Sequence, residues 1–336
     1  MPPAASNPSS APPPPRASIV IPNWNGARFL GSCLDALDRQ SLGTMADGAF
    51  EVLVVDNGST DDSAAVLAGY PAVRVMPLPA NLGFAAAVNV GIRVSRAPVI
   101  VLLNNDTEAE PGWLSALLSA LDAHPQAGMA VSKLRQFADR DRLHTTGDTL
   151  DRAAMAANRG WGEVDRGQYD AAIEVFGANA AAAAYRRALF EDIGWFCEDF
   201  GSYMEDVDLA WRARLAGWGC LFAPEAVVYH HVSATGGGPL ASYFVARNRL
   251  FMIARCYPGR LLAQNLHRVV AAQLRLAWQA LRSWRGAAAR ATLRGLGAGL
   301  VGWPAMLHSR REIQAKRRVG DVEMERLMGA RTIADR

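Results

Sequence analysis

Phe50-Glu51-Val52-Leu53-Val54-Val55-Asp56-Asn57-Gly58-Ser59-Thr60-Asp61-Asp62 runs from an apolar segment through an acid and a glycine turn into helix-capping side chains. The apolar run is short, as a buried strand is, and Ser, Thr and Asp then open a helix near residues 60–68. Upstream, Ser18-Ile19-Val20-Ile21 ends at Pro22 and predicts another buried strand. Between the two, residues 27–39 place Phe29, Leu30, Cys33, Leu34 and Leu37 on one helical face. Downstream the pattern predicts a strand near 72–76, a helix over 84–95 and a strand from Pro98 to Leu103. Alternating strands and helices imply right-handed crossovers and a mostly parallel sheet. Such sheets bind ligands at the carboxyl ends of their strands. The polar clusters Asn23 to Asn25, Asp56 to Ser59 and Asn104 to Asp106 fall at those ends.

Beyond this core, Pro111 is expected to open a helix reaching His124. Residues 135–170 are polar, Gly-rich and irregular, as a substrate-facing excursion would be. A helical segment is expected over 203–216, and residues 245–336 read as helices throughout. Residues 1–16, with Pro12 to Pro15, form an expected flexible tail. The 336 residues carry a net charge of +3, but the charge is uneven. From Arg260 to Arg318 there are many arginines and one acid, Glu312. The cysteines Cys33, Cys197, Cys220 and Cys256 form no CxxC pair, so free thiols are expected rather than a disulfide framework or a zinc site. No apolar run reaches the roughly 20 residues of a membrane span; residues 287–308 come closest, interrupted by Arg290 and Arg294. No signal peptide is evident.

Four clusters carry chemistry. Asp56, at a strand tip, can accept hydrogen bonds from a nucleobase or a ribose hydroxyl, or can simply belong to a well-capped turn with Asn57. Asn104-Asn105-Asp106 offers a carboxylate for a divalent cation that also holds a diphosphate, or forms an Asx turn. Glu205, Asp206 and Asp208 put three acids in four residues, which repel unless solvated, metal-bound or functional. At a helix start they also favour the positive dipole end. Of His230 and His231, one can serve as a metal ligand beside such acids.

The segments SIVIPNWNG, VLVVDNGSTDDS, NLGFAAAVNVGI, VIVLLNNDTEAEPGWL, DIGWF with SYMEDVDLAWRARLAGW, and VVYHHVSATGG resemble, as a set, the family 2 glycosyltransferases of the bacterial rhamnosyltransferase-like branch. The resemblance runs from Ser18 to about Gly237. It implies an α/β fold of the GT-A type, with a mostly parallel central sheet flanked by helices, followed by a C-terminal helical extension. It implies an inverting displacement from a nucleotide sugar. Asp56 then contacts the nucleoside, Pro22 and Asn23 line its base, and Asn81 and Gly83 border the nucleotide pocket; Asn25 and Asn57 belong to the same strand-end clusters. The family's DxD motif maps onto Asn104-Asn105-Asp106, with Asn104 in place of the first aspartate. Glu205 and Asp206 match the acidic pair, with Asp206 as general base. Asp106 and His230 are the implied ligands of Mg²⁺ or Mn²⁺, because Val232-Ser233-Ala234-Thr235 then fits the spacing; His231 is the alternative.

The expected organisation is a tail over 1–16, a catalytic domain over 17–240 (nucleotide-binding half 17–106, acceptor-binding half 107–240) and a basic helical region over 241–336. The expected donor is a dTDP- or UDP-sugar, rhamnose among them, and the acceptor a lipid-linked or polysaccharide hydroxyl. A sugar-nucleotide nucleotidyltransferase is a competitor, but the place of its Gly-rich basic loop is taken by Asn23-Trp24-Asn25-Gly26. A non-catalytic sugar-binding relative would not need Asp106 and Asp206. Nothing resembles a nucleic-acid-reading module. The arginines at 268, 275 and 282 are spaced by seven, a drift of only about 20° per step on a helix. With Val269, Val270, Leu274, Leu276, Trp278 and Leu281 they suggest docking on an anionic membrane surface. A cytoplasmic location, peripheral on the inner membrane face, is expected.

Overall fold

The computed structural model describes residues 14–231 and 237–329. The tail expected over 1–16 lies mostly outside the described residues, as does Val232-Ser233-Ala234-Thr235.

The strands are β1 (Ala17–Asn23), β2 (Phe50–Asp56), β3 (Arg74–Pro77), β4 (Val99–Leu103), β5 (Thr107–Ala109), β6 (Ala127–Gln136), β7 (Leu143–Thr145), β8 (Asp148–Leu150), β9 (Ala156–Asn158), β10 (Ala182–Arg186) and β11 (Gly219–His230). The helices are α1 (Ala27–Asp38), α2 (Ser63–Ala68), α3 (Phe84–Val94), α4 (Trp113–Ala123), α5 (Arg187–Ile193), α6 (Glu205–Leu215), α7 (Gly238–Cys256), α8 (Gly259–Arg282), α9 (Ala287–Ala315) and α10 (Asp321–Leu327). Nine strands form one sheet in the order β3-β2-β1-β4-β10-β6-β11-β5, with β7 paired to β6, while β8 and β9 make a separate hairpin.

The first four strands run parallel, as the alternation of apolar runs and helical faces requires. β1 and β4 are apolar along nearly their whole length and wholly buried apart from Pro22, because helices cover both faces. Beyond β4 the sheet becomes mixed: β10 is antiparallel to both β4 and β6, and β5 is antiparallel to β11. The excursion expected to be irregular carries β7 and the β8–β9 hairpin, whose strands are three residues each. Strands that short leave no alternation to read.

Register brings the strand-end clusters together. Asn23 pairs with Asp56 at the carboxyl ends of β1 and β2. Asn104 to Asp106 follow β4 directly, and β5 then returns against β11 with Thr107 opposite His230. That pairing sets His230 beside Asp106.

The C-terminal helices wrap the sheet domain. α9 packs along α7, and Gly295 permits the close approach, since a Cβ there would lie 2.3 Å from the Tyr243 carbonyl oxygen. Asp208 of α6 is fully buried between Arg212 (2.8 Å) and Arg255 (3.0 Å), tying α6 to α7. Further along, Arg318 pairs with Asp192 at 2.7 Å and Arg310 donates to the carbonyls of Ala254 and Tyr257. The boundary expected at 240/241 falls inside α7, which contributes both to the core and to the site below. Three cysteines are buried, Cys197 is partly exposed, and all four are free. Among the described residues no helix is long and apolar enough to cross a membrane.

Candidate active site

A cavity of about 550 Å³ opens over the carboxyl ends of β1 and β4. Its lining contains Pro22, Asn23, Asn57, Asn81, Asn104, Asn105, Asp106, Glu205, Asp206 and His230, all expected from sequence. Asn25, Asp56 and Gly83 lie outside the lining and support it from behind. Asn25 accepts the Thr60 amide at 2.8 Å while its own amide donates to Ser59 Oγ at 2.9 Å, locking the first two strand-end loops together. Asp56 Oδ1 accepts from Asn23 Nδ2 at 3.2 Å, and Asn23 Oδ1 in turn accepts from Asn105 Nδ2 at 2.7 Å. Buried amides thus link β1, β2 and the turn after β4. Asn57 donates to Asn81 Oδ1 and the Gly83 carbonyl and accepts from the Leu82 amide, which fixes the loop before α3. Gly83 has φ of +89°, and a Cβ there would stand 2.9 Å from the Gly201 carbonyl oxygen. Only glycine lets this loop meet the segment that carries the acids.

The opposite wall is acidic. Tyr203 and Met204 both adopt left-handed backbone, φ of 68° and 69°, an uncommon state for side chains of this size. It turns the chain sharply so that Glu205 and Asp206 open α6 facing the cavity. The loop is held from α7: Asn248 Nδ2 donates to the carbonyls of Phe200, Ser202 and Tyr203, and Arg247 donates to those of Asp199 and Phe200. Asp206 is half-buried and accepts the Val207 amide at 2.8 Å and the Ala180 amide at 3.3 Å. Burial raises its carboxyl above the usual range, partly offset by these amides. Glu205 is buried with Oε2 unpartnered, and burial together with the Asp206 charge raises it well above the ordinary value.

Asp208, the third acid of the cluster, is excluded from this chemistry. Burial alone would raise it, but Arg255 and Arg212 hold it below the usual carboxylate range, and both its oxygens are occupied.

Two lining residues escaped the sequence analysis. Asp148, on the β8 strand, is buried with Oδ2 unpartnered; burial and the nearby Asp206 charge push it well above the ordinary value. His144, on β7, places Nδ1 at 2.8 Å from Nδ1 of His230, whose Nε2 lies 3.2 Å from Asp106 Oδ1. Burial and the neighbouring His230 push His144 down to about 3, so it is neutral at physiological pH. His231 faces away: its ring stacks on Phe137 at 3.5 Å, and only its backbone amide reaches the Asp106 carbonyl.

A carboxylate oxygen and an imidazole nitrogen that converge at 3.2 Å form a donor set suited to Mg²⁺ or Mn²⁺. Among the described residues no group of three or more His, Cys, Asp or Glu side chains could hold a metal by themselves. Such a pair therefore needs oxygens from a ligand to complete the shell. A metal on His230 Nε2 requires the His230 proton on Nδ1, donating to His144.

The model of the family described as Glycosyl transferase family 2 matches residues 18–194, more than half of the chain. N-acetylglucosaminyl-diphospho-decaprenol L-rhamnosyltransferase of Mycobacterium tuberculosis is 32% identical over 232 residues, spanning 62% of this chain and 75% of the relative. Among solved structures, Staphylococcus aureus TarS (residues 1–349) in complex with UDP-GlcNAc superposes with a TM-score of 0.54 at 18% identity, covering 89% of this chain and 90% of TarS. The mannosyltransferase PcManGT of Pyrobaculum calidifontis, in complex with GDP-Man and Mn²⁺, gives 0.52 at 19% identity, covering 91% and 86%. These likenesses show a GT-A glycosyltransferase fold with a C-terminal helical extension. Sequence family and fold agree: the chain is a glycosyltransferase and belongs to glycosyl transferase family 2.

Proposed function

We propose that the enzyme moves a sugar, with inversion, from a dTDP- or UDP-linked donor to a hydroxyl of a lipid-linked or polysaccharide acceptor. One observation carries this reading: a single cavity joins the strand-end amides and Asp106 on one wall to the partly accessible carboxylate of Asp206 on the other. The amide-lined wall receives the nucleotide, with Pro22 and Asn23 beside the base and Asn81 at the rim, while Asp56, Asn25, Asn57 and Gly83 hold that wall in shape. Asn104 and Asn105 border the diphosphate.

In the proposed reaction Asp206 takes the proton of the acceptor hydroxyl as that oxygen attacks the anomeric carbon from the face opposite the leaving diphosphate. Its raised affinity for a proton makes it a stronger base than an exposed aspartate. Glu205 and Asp148, held protonated by burial and by the Asp206 charge, are able to donate hydrogen bonds to sugar hydroxyls. Asp106 and His230 would hold a divalent cation, which when bound offsets the charge of the departing diphosphate. A single carboxylate base suffices, because inversion needs no covalent intermediate.

The acceptor assignment is supported by the relative that acts on a diphospho-decaprenol-linked sugar and by α8. Leu266, Val270, Leu274, Trp278 and Leu281 form one exposed stripe, with Leu274 65% and Trp278 61% accessible. Arg268, Arg275, Arg282 and Arg285 are exposed beside it. Val269 is buried and belongs to the packed face instead. Arg310, Lys316, Arg317 and Arg318 are engaged with carbonyls or acids of the protein, so the basic surface left for lipid is that of α8 and the start of α9. In this reading residues 241–336 both complete the catalytic unit and rest on the inner face of an anionic membrane.

The test is a panel of nucleotide sugars scored for nucleoside diphosphate release, with the anomeric configuration of the product read by NMR. Release from a dTDP- or UDP-sugar with an inverted anomeric centre is expected. Retention, or no release from any nucleotide sugar across lipid-linked and glycan acceptors, would refute it.

A further inference from the structure

α7 lies beyond the 18–194 stretch matched by the family model, yet it lends Leu240, Val245 and Arg249 to the cavity lining. Arg249 is the only Arg or Lys in that lining, against four carboxyl side chains, Asp106, Asp148, Glu205 and Asp206. It is 6% exposed, and its Nε and Nη1 have no hydrogen-bond partner. The acid whose charge reaches it, Asp151, has Oδ1 committed to the amides of Ala153 and Met155 at 2.8 Å each. A buried guanidinium with open donors is expensive to keep. Its near neighbours in sequence are fully used: Arg247 and Asn248 clamp the loop before α6. Arg249 alone in this tripeptide is left with donors unspent.

We propose that the Arg249 guanidinium binds phosphoryl oxygens of a substrate seated in this cavity. The inference rests on reading the cavity as the site of sugar transfer and names a further residue within it. Guanidinium suits phosphate because its forked donors meet two oxygens at once. An acid-rich cavity that receives a diphosphate needs a positive charge from the chain, and this is the one the lining supplies. Two sources share the chemistry: the diphosphate of the nucleotide donor, and the diphosphate of a lipid-linked acceptor. Leu240 and Val245 on the same helix supply the apolar surface that a lipid chain beside the second would meet.

The experiment is calorimetric titration of the full chain, wild type, Arg249→Met and Arg249→Lys, with inorganic pyrophosphate, UDP, dTDP and farnesyl diphosphate as separate probes. The melting temperature of each ligand-free protein is measured alongside. Arg249→Met is expected to weaken pyrophosphate and at least one organic diphosphate tenfold or more, with Arg249→Lys intermediate. Loss confined to UDP or dTDP assigns the donor; loss confined to farnesyl diphosphate assigns the acceptor. The ligand-free Arg249→Met protein should melt no lower than wild type, since an uncompensated buried charge is gone; a purely structural arginine would behave oppositely. Unchanged affinity for all four probes, or a ligand-free Arg249→Met protein that melts several degrees lower or does not fold, overturns the proposal. Because the titrations need no turnover, a negative nucleotide-sugar panel with a positive Arg249 result would sink the transfer reading and leave this one standing.

Discussion

The side-chain amide of Asn248, on α7, donates to the carbonyl of Tyr203 at 2.7 Å. Tyr203 is the first of two left-handed residues that turn the chain into α6, so a helix near the C-terminus holds the acids in place. Asn248→Ala removes that bond and two more to the same loop. Hydrogen bonds of this kind contribute about 1 kcal/mol each, and the orphaned carbonyls add to the loss. Turnover should fall about 10–100-fold, as small misplacements of a catalytic group do. UDP or dTDP affinity, set on the other wall, should hold. Steady-state kinetics beside calorimetry separates the two effects.

Asp208 should prove essential for stability rather than for chemistry. Asp208→Asn leaves Arg212 and Arg255 buried without their countercharge, and breaking such a pair costs about 3–5 kcal/mol. The sign of the pH dependence follows from its depressed proton affinity. The contribution of Asp208 is complete above the unfolded-state value for aspartate and is lost as pH falls through the folded-state value. Urea unfolding from neutral to acid pH should therefore show a steeper loss for wild type than for Asp208→Asn.

Removal of divalent cations should abolish turnover, and Mg²⁺ or Mn²⁺ should restore it. Asp106→Asn and His230→Ala should each weaken Mn²⁺ binding measured by EPR in the presence of UDP. His144→Ala should weaken it about 10–100-fold as well, because it deprives His230 of the partner that orients its ring. His231→Ala should leave Mn²⁺ affinity unchanged.

Trp278→Glu with Leu274→Glu should release the enzyme from anionic vesicles. Burying each side chain contributes about 1.5–3 kcal/mol, and each nearby arginine adds roughly 1 kcal/mol on an anionic surface. Co-sedimentation with anionic and with neutral liposomes at low and high salt reads both components. Equal failure of the wild type to bind either vesicle would refute the docking surface.

The strand-end half of the site was legible because local rules govern it. Each apolar run stops at a polar cluster, and parallel topology sends Asn23, Asp56 and Asn104 to Asp106 to one edge. Asp206 and His230 were legible only through a motif whose spacing spans the chain. Asp148 and His144 were not, since they sit on three-residue strands where neither periodicity nor motif marks them. The β10 strand was hidden by its composition, an alanine run with little β-propensity that becomes a strand only between β4 and β6. Asp208 shared an acidic motif with Asp206, and only the packing of α7 against α6 distinguishes a buried ion pair from a base. Asn25 and Gly83 were placed near the nucleotide correctly in sequence terms, yet their side chains or lack of one serve the loops behind the lining.

The most direct test of the account is the pH profile of turnover for wild type and Asp206→Asn, followed as nucleoside diphosphate release with a glycosyl-diphospho-lipid acceptor. Asp206 must be ionised to act, and burial raises its proton affinity, so wild-type activity should climb with pH through a limb above the ordinary aspartate value. Asp206→Asn should lose several orders of magnitude in turnover at every pH while still binding UDP or dTDP. Near-normal turnover in Asp206→Asn, with the acid limb of the profile unmoved, would contradict the assignment of the base and with it the proposed mechanism.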